Sequence, residues 1–124
     1  MLTIRKEQLA VLQKKEVQKF GDRMVAHLTE VFPEKSKALG EGGLREFIRY
    51  GLSRAASYRI AAERDVCKYI DLMVVFGRDF DRDPNQPWAG AILNDRKTKS
   101  PARKMKQLFE TAKEREKAQG AARA

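Results

Sequence analysis

The chain of 124 residues contains one cysteine, Cys67, and one histidine, His27. A single cysteine excludes an intramolecular disulfide, and one soft ligand of each kind is too few for a structural zinc site. The longest apolar run, Leu72–Gly77, falls far short of the roughly 18–20 residues that span a bilayer. No apolar stretch opens the sequence, so no secretory signal is expected, and the expected location is cytoplasmic. Internal repeats, a long heptad array and strand alternation are all missing. The glycine cluster Gly40-Glu41-Gly42-Gly43 lacks the Gly-Lys-Ser/Thr ending and the preceding strand of a phosphate loop, and reads as a turn. No nucleophile elbow or metal constellation is visible, so no enzyme, cofactor or metal is expected.

What is there is helical. Hydrophobic residues make up 42% and charged residues 35%, the profile of a small, heavily solvated globular chain. Leu9, Leu12, Val17, Phe20, Met24, Leu28 and Val31 recur at helical intervals, which predicts a long first helix from Ile4 to Phe32 with Thr3 as its N-cap. Pro33 ends it. One or two turns follow to Leu39, then the glycine break, then a helix from Leu44 to about Ile60, where Gly51 admits a close helix crossing. Glu63 to Phe76 is a helix with Gly77 as its stop. A polar loop, 78–87, leads to a short helix, Trp88–Leu93. Ser100-Pro101 is an N-cap and first-turn pair opening the last helix. The expected fold is all-α, a compact bundle of four to six helices with a long N-terminal helix. Residues 1–112 are expected to form a single helical domain, and 113–124 a basic, frayed tail. Leu28, Phe47, Ile48, Leu52, Val66, Ile70, Met73 and Phe109 are the expected core.

The net charge of +9 is uneven. Residues 1–39 carry net +3, residues 40–95 net −1 and residues 96–124 net +7. Arg96, Lys97, Lys99, Arg103, Lys104 and Lys106 could neutralise several phosphates, so nucleic-acid association through this segment is the alternative functional reading. No helix-turn-helix, zinc-finger or RNA-stacking pattern accompanies them.

Asp79, Asp81 and Asp83 alternate like the first ligands of a calcium loop. Pro84 stands where that motif needs glycine, Gly90 where it needs glutamate, and Arg78 and Arg82 lie among the acids, so calcium binding is not expected. The same loop, with Phe80 and Trp88, has the arginine and aromatic content of a binding hot spot. Arg78, Asp79, Phe80, Asp81, Arg82 and Trp88 are therefore the expected partner-binding residues. The competing expectation is that Phe80 and Trp88 plug the core while the aspartates cap helices. Cys67 reads as a small buried hydrophobe, and His27 as a surface or core-edge residue.

The stretch Glu63-Arg64-Asp65-Val66-Cys67-Lys68-Tyr69-Ile70-Asp71-Leu72-Met73, then Phe76-Gly77-Arg78-Asp79-Phe80-Asp81 and Pro87-Trp88-Ala89, resembles a family of small uncharacterised bacterial proteins encoded in type VI secretion or related toxin-delivery gene neighbourhoods. Leu2-Thr3-Ile4-Arg5 through Gln8-Leu9 fits the same family, and the basic C-terminal segment departs from it. The resemblance implies a non-catalytic accessory, adaptor or chaperone-like protein that binds an effector, its chaperone or a spike component. It leaves homo-oligomerisation open.

Overall fold

The computed structural model describes the backbone of residues 6–123 and the side-chain environments of residues 15–117. Five helices follow in order: α1 Lys6–Val31, α2 Pro33–Ser57, α3 Glu63–Phe76, α4 Pro87–Leu93 and α5 Pro101–Arg123. The described residues contain no strand, as the helical periods require. No helix among them is long and apolar enough to cross a membrane. The proposed cap Thr3 lies outside the described residues. The chain divides into two compact units, 1–49 and 50–124, with the boundary inside α2.

In the first unit, α1 gives way to α2 at Phe32-Pro33. Proline has no N–H and suits the first turn of a helix. The buried Ser36 hydroxyl donates to the Leu28 carbonyl at 2.8 Å, a second bond to an oxygen that already accepts from the Phe32 N–H at 2.8 Å. Phe20, Met24, Leu28, Leu44 and Ile48 are buried. Of the three clustered glycines only Gly40 leaves helical geometry, at φ 71°, ψ 170°. One residue in that left-handed region redirects the chain, and helix resumes at once through Glu41, Gly42 and Gly43. The break is therefore shorter than the composition suggests.

In the second unit, α2 ends in a Schellman turn. The Ile60 and Arg59 N–H groups donate to the Ala55 and Ala56 carbonyls at 2.9 Å each, with Arg59 at φ 64°. Helix α3 begins and ends as the sequence predicts, and the Gly77 N–H returns to the Met73 carbonyl at 2.9 Å. Its inner face, including Val66, Tyr69, Ile70 and Met73, is buried. Gly51 faces it so closely that an added Cβ would lie 2.6 Å from Ile70 Cγ1. Helix α5 packs on α3 and α4 through Met105, Leu108 and Ala112, all buried.

Helix α5 runs on to Arg123, so most of the segment read as a frayed tail is helix, its Lys, Glu, Gln and Ala being strong helix formers. Among the expected core residues, Phe47, Leu52 and Phe109 are only half-buried. Phe109 is held between the ammonium groups of Lys68 and Lys113, 5.4 and 5.0 Å from its ring.

Candidate functional site

The loop between α3 and α4 is not loose. Three successive turns shape it, with the Phe80, Arg82 and Gln86 N–H groups donating to the Gly77, Asp79 and Asp83 carbonyls. The Gln86 amide spans its two ends, donating to the Phe76 carbonyl at 3.0 Å and to Asp83 Oδ2 at 2.9 Å. Asp83 Oδ1 also accepts from the Asn85 N–H, and these two donors hold the Asp83 carboxyl below the usual range.

The turns send the three alternating aspartates to different places. Asp79 is exposed. It accepts from the Tyr50 hydroxyl and from Arg82 Nη2 at 3.1 Å, and these donors lower its pKa. Asp81 is buried, 3% exposed. Its Oδ2 accepts from Arg54 Nε at 3.1 Å, Arg54 Nη2 at 2.5 Å and the Tyr58 hydroxyl at 2.6 Å. Asp83 serves the loop backbone. The three carboxylates do not converge into a cation cage.

Burial and the bond to Asp81 push Tyr58 up to about 12. Burial also raises Tyr69, whose ring lies 5.2 Å from Phe80. A phenol raised by folding stabilises the fold below its unfolded pKa, here 10.0. That stabilisation is lost as the pH climbs from there through about 12. In a Tyr50→Phe variant, phenolate absorbance is therefore expected to appear together with loss of the helical circular dichroism signal. Phenolate growing in while the helices persist would show these hydroxyls to be solvated.

Two expected binding residues need correcting. Phe80 is 1% exposed and packs on Tyr69 and Trp88. Asp81 is consumed by Arg54 and Tyr58. Both belong to the interior because the turn that exposes Asp79 points the next residues inward. Trp88 is half-buried, edge-on to Phe76 at 5.2 Å between ring centres. Arg78, Asp79 and Arg82 remain on the surface. They join a residue absent from the sequence reading, Tyr50. The Arg78 guanidinium lies 3.9 Å from the Tyr50 ring centre, and Arg82 Nη2 donates to the Tyr50 hydroxyl at 3.0 Å. The available signal is the four-residue spacing of Tyr50, Arg54 and Tyr58 along the end of α2 and the turn that closes it.

Elsewhere, Cys67 is half-buried. Burial and the nearby Asp71 push its thiol up, the opposite of an activated nucleophile. An open groove of about 540 Å³ in the first unit is crossed by the Arg45–Asp22 ion pair at 3.0 Å. Among the six basic candidates, Arg96, Lys97, Lys99, Arg103 and Lys106 are exposed. Lys104 is turned inward, its Nζ donating to the Leu93 carbonyl at 3.0 Å, where it satisfies the end of α4. Comparison with protein-family models, curated proteins and solved structures returns no match.

Proposed function

We propose that this chain is a non-catalytic accessory protein that binds a protein partner through the outer face of the loop, at Tyr50, Arg78, Asp79 and Arg82. The observation that carries the reading is the stacking of Arg78 on Tyr50 beside the Arg82–Asp79 pair. Two guanidinium groups and an aromatic ring are held in place on a loop already anchored from beneath. Arginine and tyrosine are enriched at energetic hot spots, and a loop ordered before docking loses less entropy on binding. The resemblance to small proteins of type VI secretion or toxin-delivery neighbourhoods supports an effector, an effector chaperone or a spike component as the partner, met in the cytoplasm.

Arg78→Glu and Arg82→Glu test this. Each is expected to weaken capture of such a component from the native bacterium by about tenfold or more, the scale of a hot-spot residue. Exposed, solvent-screened pairs contribute little to stability, so the melting temperature should stay nearly unchanged. Normal capture by both variants would assign the loop a purely structural role.

A further inference from the structure

We propose that residues 96–106 form a docking surface for the phosphate backbone of duplex nucleic acid, independent of the loop and of the partner proposed for it. From Arg96 to Phe109 the sequence holds six cations and no acid. Five of these side chains are exposed, and none takes part in an ion pair among the described residues. The preceding acid, Asp95, is engaged by the Lys97 N–H at 2.9 Å and the Thr98 hydroxyl at 3.1 Å. These contacts turn its carboxylate onto the linker backbone.

The apolar side of α5 argues against an anionic lipid surface. Met105, Leu108 and Ala112 are buried against the unit's own helices. The exposed large hydrophobics, Val17, Val31, Leu39 and Val75, belong to α1, α2 and α3. The segment therefore has no exposed large apolar side chain to insert into a lipid surface. The segment holds no aromatic residue, and Phe109 just beyond it has the Lys68 and Lys113 ammonium groups over its ring, so it offers no free ring for unpaired bases to stack on. What remains is a row of cations with no helix-turn-helix or zinc-finger pattern to aim them at base edges. That is the chemistry of sequence-independent backbone binding to a duplex.

The test is fluorescence anisotropy of the full chain with a short mixed-sequence DNA duplex across a salt series. With three to five phosphates neutralised, affinity is expected to fall by about 40- to 500-fold between about 50 and about 200 mM salt. A variant combining Arg96→Gln, Lys97→Gln, Lys99→Gln, Arg103→Gln and Lys106→Gln should lose most of the binding and of the salt slope. The pair Lys99→Gln and Lys106→Gln should reduce the slope by about two. Circular dichroism and melting of both variants separate charge loss from unfolding. Three results would overturn the proposal: no duplex binding at low salt, variants that are folded and bind like the parent, or tighter binding to vesicles containing phosphatidylserine than to the duplex.

Discussion

Replacing Arg54 with Ala is expected to destabilise the protein by about 3–5 kcal/mol, the cost of stripping a buried charge of its partner. The Asp81 side chain has no solvent exposure, whereas the Arg54 side chain is 22% exposed. Three of the donors that make its burial tolerable converge on one oxygen, Oδ2. The other, Oδ1, has no hydrogen-bond partner among the described residues. Without Arg54 the carboxylate keeps only the Tyr58 hydroxyl. The converse change is gentler. In Asp81→Asn the guanidinium is left partly hydrated and the neutral amide removes the buried charge, so the loss should be clearly smaller. Urea denaturation of both variants and of the double variant checks this. A cost below about 1 kcal/mol for Arg54→Ala, or a larger one for Asp81→Asn, would mean that Asp81 is solvated and that the pair holds nothing together.

Ile70→Ala is expected to cost about 2–5 kcal/mol, since Ile70 is completely buried and the surrounding helices cannot fully collapse onto the space. Its neighbour across the crossing makes the case sharper. Ala is ordinarily better than Gly inside a helix by about 1 kcal/mol. At Gly51 the sign should reverse, because the new Cβ would meet Ile70 Cγ1 at 2.6 Å and Met73 Sδ at 2.9 Å. The methionine sulfur can swing aside, but Cγ1 sits one bond from the isoleucine Cβ and has nowhere to go. Gly51→Ala should therefore cost about 1–3 kcal/mol. In the double variant the space left by Ile70→Ala accepts the Gly51→Ala methyl, so the combined loss should fall short of the sum by at least about 1 kcal/mol. Strict additivity in chemical denaturation would show that the two helices part instead of clashing.

These pairs mark where sequence reading runs out. The bounds of α3, its glycine stop and the Ser100-Pro101 start of α5 are all legible, because each is set by residues a few positions apart. The glycine cluster at 40–43 is narrower as a break than its composition implies. Composition shows three permissive residues, but only the backbone angles show that Gly40 alone uses its freedom.

The loop was legible as a concentration of charge and aromatic residues, and no further. Asp79, Asp81 and Asp83 are alike in type and alternate evenly, so nothing local distinguishes them. The environments of Asp81 and Asp79 depend on residues 27 and 29 positions away, Arg54 and Tyr50. Tyr50 became part of the candidate surface only because α2 passes beside the loop. Lys104 was one of six similar cations until the end of α4 came within reach of its ammonium.

By itself, then, the sequence determined the helical class, most helix ends, the exclusion of an intramolecular disulfide and the basic excess after residue 95. Helical periodicity, capping and charge are properties of neighbours along the chain. Tertiary structure alone decided which aspartate is buried, which arginine it pairs with, that Phe80 is core and that Arg78 stacks on a tyrosine. Those outcomes turn on contacts across long sequence separations, where the energy of a carboxylate depends on the donor that the fold brings to it.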